Sequence, residues 1–134
     1  MTSGACYGYT IDAPFDLRFL RGGSGPTLSM READVDATAG GVPVMEWSPD
    51  RGDTFRGRLH GDRSWYRLWI DGDGWYGIDL AQRRIDVPAA LDELRREERV
   101  WGIPLTLHLL DRGDLPVHAA AVDIAGLAVL LAAP

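Results

Sequence analysis

The stretch 115–134 leaves this chain few ways to fold. It is almost entirely small, β-branched or aliphatic, with Asp123 and His118 its only ionisable side chains. It predicts two strands, 117–124 and 127–133, joined at Ala125-Gly126. Neither strand alternates between polar and apolar residues. A near-continuous apolar run of this length suits a strand covered on both faces, which requires a second layer of structure over it. Pro134 follows directly, with no residues left to form that layer, so the expectation is the front part of a longer protein.

The rest of the chain is richer in strand signals than in helix signals. Residues 1–5 read as loose, 6–11 as a strand with Tyr7, Tyr9 and Ile11 on one face, and 16–20 as a second short strand. Gly22, Gly23 and Gly25 could suggest a phosphate cradle, but no Lys and no helical pattern follow, so they read as a flexible turn. Residues 27–30 form a brief strand and 31–41 a polar loop. Residues 42–47 form a strand that Pro43 pushes to a sheet edge. After a turn at 48–53, residues 54–60 alternate, with Phe55, Gly57 and Leu59 opposite Arg56, Arg58 and His60.

The clearest local signal is a hairpin. Segments 64–70 and 75–80 flank Asp71-Gly72-Asp73-Gly74, and Asp-Gly supplies the positive φ that tight hairpin turns demand. Tyr66, Leu68 and Ile70 share one face, and Trp65, Arg67 and Trp69 the other. Aromatics on both faces leave two readings, a hairpin sandwiched in the core or one with a binding face, and core packing is the simpler. Residues 82–87 add a strand. Helical spacing begins at Pro88, with Leu91 and Leu94 inward and Asp92, Glu93, Arg95, Arg96 and Glu97 as a charged face. A second, largely buried helix is expected over 103–112, closed by Gly113.

Composition excludes several functions. Net charge is −6, which argues against broad nucleic-acid binding. All 14 basic residues are Arg, the usage expected of a GC-rich, actinobacterial-like genome, and the lack of Lys excludes a phosphate-loop lysine within these residues. Cys6 is the single cysteine, so no internal disulfide can form. With no signal peptide visible, a reducing cytoplasm is the simplest setting. No apolar run approaches the ~20 residues that cross a bilayer, so no membrane partner is expected.

Few residues carry chemistry. His60 and His108 lack metal spacing, and His108 on a leucine-rich helix reads as structural. Asp71-Gly72-Asp73-Gly74 lacks the third carboxylate and closing glutamate of a calcium loop, since Gln82 stands at the closing position. The two Arg-Gly-Asp triplets, at 51–53 and 112–114, read as turns.

His118, the turn glycine Gly126 and the strand Val129-Leu130-Leu131 resemble the entry to the kinase domain of the HPr kinase/phosphorylase family and its HPr-kinase-like relatives. There a phosphate-binding loop, G-x-x-x-x-G-K-[ST], follows directly. Here Ala133 stands where the family usually has that loop's first glycine, and the specific match covers about twenty residues. The resemblance implies a parent protein that uses ATP and Mg to phosphorylate a serine of a protein or peptide. It also implies a catalytic role for His118 beside the phosphates. This chain alone would hold no cofactor and no metal and would be inactive.

The resulting expectation is an α+β protein: a β-rich domain over 1–87, a helical connector over 88–113, and the first hairpin of an incomplete kinase-like domain over 114–134. Its function would be substrate recognition or regulation in an HPr-kinase-like protein or peptide serine kinase. A homo-oligomer is a further expected association. The alternative is a non-enzymatic module that binds a peptide or partner through the aromatic hairpin 64–80, with Trp65, Trp69, Trp75 and Tyr76 as contacts.

Overall fold

A computed structural model describes residues 2–36, 40–116 and 120–131. The fold is mixed α+β, as expected. Eight strands form one sheet: β1 (Thr2–Cys6), β2 (Tyr9–Ala13), β3 (Thr27–Glu32), β4 (Val42–Trp47), β5 (Gly57–Asp62), β6 (Trp65–Ile70), β7 (Gly74–Asp79) and β8 (Arg84–Val87). Their spatial order is β1-β2-β3-β8-β7-β6-β5-β4. β2, β3 and β8 run parallel to one another, and every other neighbouring pair is antiparallel. Helices α1 (Glu93–Trp101) and α2 (Ile103–Asp111) follow, and then a separate two-stranded sheet of β9 (Ala120–Ile124) and β10 (Leu127–Leu131).

Alternation along the strands places one apolar face beneath the helices. Ile11, Leu28, Ile85, Ile78, Tyr76 and Leu68 are fully buried there, joined by Val100 of α1 and Leu105 of α2. The hydroxyl of Tyr9 donates to the carbonyl of His108 at 3.0 Å, tying α2 to β2. Asp92 caps α1 by accepting from the Arg95 amide at 3.0 Å. Gly102 and Pro104 then redirect the chain into α2, whose first turn tolerates a proline.

The structure corrects several expectations. Of the segment 1–5 expected to be loose, residues 2–5 belong to β1, and the single strand expected over 6–11 is broken by a tight turn at Tyr7 (φ 51°) and Gly8 (φ 76°). The strand expected over 16–20 does not form. Phe15 and Leu17 instead plug the core from an irregular segment, and Glu97 accepts the amides of Arg18 at 2.6 Å and Phe19 at 3.3 Å. The first helix begins at Glu93 rather than Pro88.

That helix also presents a different face. Leu94, expected inward, is 53% exposed, whereas Arg96 and Glu97, expected to be solvated, are buried. Polar partners explain the exchange. Glu97 serves the 14–20 segment, while Arg96 lies 4.7 Å over the Phe15 ring and bonds the carbonyl of Leu91 and the carboxylate of Glu32. On α2, Leu105 is buried, but Leu110 is half exposed, so that helix is amphipathic rather than enclosed.

Other expectations are met. β4 lies at a free edge, with Pro43 and a bulge between Pro43 and Met45. The Asp71-to-Gly74 stretch is the β6–β7 turn, with Gly72 (φ 79°) and Gly74 (φ 103°) supplying its left-handed backbone. Both Arg-Gly-Asp triplets lie in turns whose glycines have positive φ.

Candidate binding face

The sheet face turned away from the helices carries the aromatic and cationic residues. Register fixes which side chains meet there. Trp69 of β6 stands opposite Trp75 of β7 and Arg58 of β5; Arg67 stands opposite His60 and Gly77; Trp65 stands opposite Asp79. One row further, Gly77 faces Asp86, and Asp79 faces Arg84. Trp65, Trp69 and Trp75 are each half-buried. They were expected together with Tyr76, but Tyr76 points to the core and is fully buried, bonded to Asp73.

Charges on this face are mostly paired. Asp86 takes Arg31 at 2.5 Å and Arg84 at 3.2 Å, and Asp79 takes Arg84 at 3.3 Å. Two arginines and two aspartates thus cancel. Arg58 lies 5.3 Å over the Trp69 ring and 4.0 Å from Glu46.

Arg67 is different. It is 3% exposed, its guanidinium lies 4.4 Å over the Trp65 ring, and neither Nε nor Nη1 has a hydrogen-bond partner. No ion pair reaches it among the described residues. Taking a guanidinium out of water costs several kcal/mol. A desolvated stack on an indole returns about 2 kcal/mol. The stack alone does not offset the burial of Nε and Nη1.

The other buried ion cluster makes a useful contrast. Asp73, in the β6–β7 turn, accepts from Arg99 Nε at 2.7 Å and from the Tyr76 hydroxyl at 3.3 Å. Arg95 approaches its other oxygen at 2.5 Å as a charge contact without hydrogen-bond geometry. This charge-compensated cluster clamps α1 to the hairpin. Burial and the neighbouring carboxylate push the Tyr76 phenol well above its ordinary range.

His118, the catalytic residue implied by the family resemblance, lies outside the described residues. His108 is fully buried, and that burial holds its imidazole below its ordinary pKa. His60 of β5 stands opposite Arg67 of β6, its ring edge-on to Trp75 at 6.0 Å. Among the described residues, no cluster of three or more His, Cys, Asp or Glu could hold a metal. No helix among them is long and apolar enough to cross a membrane.

A concave region lies beside the β1–β2 turn. A groove of about 760 Å³ is lined by Tyr7, Trp101, Leu105, Leu109, Arg112 and Leu115, at the point where the chain leaves α2 for the terminal hairpin. Arg112 braces its rim by donating to the Tyr7 carbonyl at 2.7 Å and stacking 4.4 Å over Tyr9.

Sequence reading anticipated the Trp65–Arg67–Trp69 face but not the isolation of Arg67. An arginine between two tryptophans at period two was the available signal; the missing counter-charge depends on strands distant in sequence. Comparison with known proteins finds no matching family model, no matching curated protein and no matching solved structure.

Proposed function

We propose that this chain is the recognition portion of an ATP-dependent, HPr-kinase-like protein or peptide serine kinase. The observation that carries the reading is the terminal hairpin. Among the described residues β9 and β10 pair only with each other, around a turn at Ala125 (φ 53°) and Gly126 (φ 83°). Val122, Ile124, Leu127 and Val129 are exposed, Ile124 at 57% and Leu127 at 71%. A hairpin this apolar gains stability only when another layer closes over it. In this reading the layer is a kinase-like domain whose first hairpin is β9–β10, with its phosphate loop supplied C-terminal to Leu131. ATP and Mg would bind that loop, where glycine-rich backbone amides and a lysine meet the phosphates.

Reading the coding sequence past codon 134 tests this directly. A glycine-rich stretch closing in Gly-Lys-Ser or Gly-Lys-Thr supports the kinase, and a stop codon there overturns it. Calorimetry of residues 1–134 with Mg-ATP should show no micromolar binding; a measurable isotherm would place the nucleotide site elsewhere and defeat the reading.

A second reading is favoured by a separate observation, the gathering of Trp65, Trp69 and Trp75 on the helix-free face. Tryptophan and arginine dominate interaction hot spots. In this reading the face holds a peptide or protein partner without any enzymatic step. The Trp65→Ala/Trp69→Ala double variant should stay folded by circular dichroism and lose partner capture. Unfolding of that variant would make both residues structural and remove the reading.

A further inference from the structure

We infer that Arg67 is the centre of a carboxylate-binding site on the helix-free face, taking a ligand whose carboxylate adjoins an apolar or aromatic group. The inference deepens the aromatic-face reading by naming its ligand chemistry, and it stands apart from the kinase reading.

Three observations converge on it. Arg67 is 3% exposed, and its Nε and Nη1 are buried without a protein acceptor, so part of a permanently charged donor stays open to an incoming acceptor. Polar groups in that state bind an incoming acceptor strongly, because the surroundings are of low dielectric and no hydration shell must be stripped from the donor. Arg31 and Arg84 answer Asp79 and Asp86, Arg58 lies beside Glu46, and Asp62 of β5 stands opposite Trp65 on the same face, so attraction comes from the unpartnered N–H groups of Arg67 and not from a net positive field. The tryptophan flanks favour a carboxylate on an apolar body over a strongly hydrated phosphate. The flanks are apolar. Trp65 and Trp69 stand two residues to either side along β6, and Trp75 stands opposite Trp69, all half-buried. They would take the body of the ligand while the guanidinium takes its charge.

Benzoate is a suitable probe, with benzamide as its neutral isostere and inorganic phosphate as the dianionic control, all at constant ionic strength. Thermal unfolding and tryptophan fluorescence of the whole chain provide two readouts. Benzoate should raise the wild-type Tm saturably, on the order of 3–5 °C at about ten times its Kd. Benzamide should give no shift, and phosphate should bind at least several-fold more weakly.

Arg67→Met should fold with a Tm no lower than wild type, because it removes an unpaired buried charge, and should lose the benzoate response. Arg67→Gln serves the same readout if the methionine variant does not fold. Acetyl-phenylalanine and acetyl-Asp-Phe-amide then distinguish a terminal from a side-chain carboxylate. Four results would overturn the inference: no saturable benzoate shift, a shift that survives in both variants, equal binding of benzamide, or tighter binding of phosphate. Loss of partner capture in the Trp65→Ala/Trp69→Ala variant without any benzoate binding would refute the carboxylate assignment alone and leave the aromatic-face reading in place.

Discussion

The two faces of the eight-stranded sheet are built from the same strands by alternate residues, yet they solve opposite problems. Beneath the helices, Leu68, Tyr76, Ile78 and Ile85 are sealed in a dry core, and a buried carboxylate nearby, Asp73, is held by Arg95, Arg99 and the Tyr76 hydroxyl. On the opposite face, the residues one step along the same strands are the half-covered Trp65, Trp69 and Trp75 and the buried Arg67, whose Nε and Nη1 have no protein acceptor. A period-two sequence thus separates structural work from surface work residue by residue. Apolar packing dominates one side, and aromatic and charged side chains the other.

The largest test of that division removes the Asp73 carboxylate. Asp73→Ala leaves Arg95 and Arg99 facing a core without their counter-charge and strips the Tyr76 hydroxyl of its acceptor. Both arginines keep some solvent exposure, so the loss should be about 2–4 kcal/mol, toward the lower end for a broken buried pair. Urea unfolding measures it. A loss below about 0.5 kcal/mol, the range of ordinary surface changes, would mean that α1 is held by apolar packing alone.

The next test compares neighbours on one strand. Leu68→Ala should cost about 2–4 kcal/mol, as for a fully buried leucine. Trp69→Ala, one residue along and on the other face, should cost about 1 kcal/mol, the size of a typical substitution. Equal costs would show that the tryptophan face is as structural as the core and would break the comparison outright.

Much of this division was legible in the sequence, for a physical reason. The β6–β7 hairpin is local: Asp-Gly turn chemistry and strict alternation decide it within about twenty residues, so its turn and both its faces could be read in advance. The edge position of β4 followed from Pro43, which cannot donate to a ladder. The failures are non-local. Leu94 and Glu97 exchanged places because Glu97 finds its donors in residues 18 and 19, far away in sequence, and a carboxylate with three donors can be buried while a leucine without a pocket cannot. The break at Tyr7 was hidden because tyrosine rarely adopts positive φ. The isolation of Arg67 depends on which carboxylates other strands deliver, and on Asp79 and Asp86 being taken by Arg84 and Arg31.

A smaller effect should appear with pH on the core side. Burial holds His108 below its ordinary pKa near 6.5, so the folded state keeps it neutral. Above about pH 6.5 both states are neutral there and stability does not depend on this group. Between that value and the depressed folded pKa, only the unfolded chain takes the proton, so stability falls with acidification, by at most about 1.4 kcal/mol per pH unit. Chemical denaturation from pH 7.5 to 5.5 should show that slope in wild type and a reduced slope in His108→Gln. An unchanged slope in the variant would assign the acid sensitivity to other groups.

The smallest effect on stability is expected from the terminal hairpin, and this sharpens the comparison from outside the sheet. Ile124 and Leu127 face each other across its turn and are exposed. Side chains that bury nothing contribute little to folding, so Ile124→Ser with Leu127→Ser should change the unfolding free energy of the main sheet by less than about 0.5 kcal/mol. The same change removes an apolar surface that would otherwise drive association. Light scattering should therefore show reduced self-association of the double variant at equal protein concentration, while its denaturation midpoint stays fixed. A large fall in the midpoint would place these side chains against the eight-stranded body. The hairpin would then belong to the same core as Leu68 and Tyr76, and the reading of β9–β10 as a surface reserved for another layer would fail.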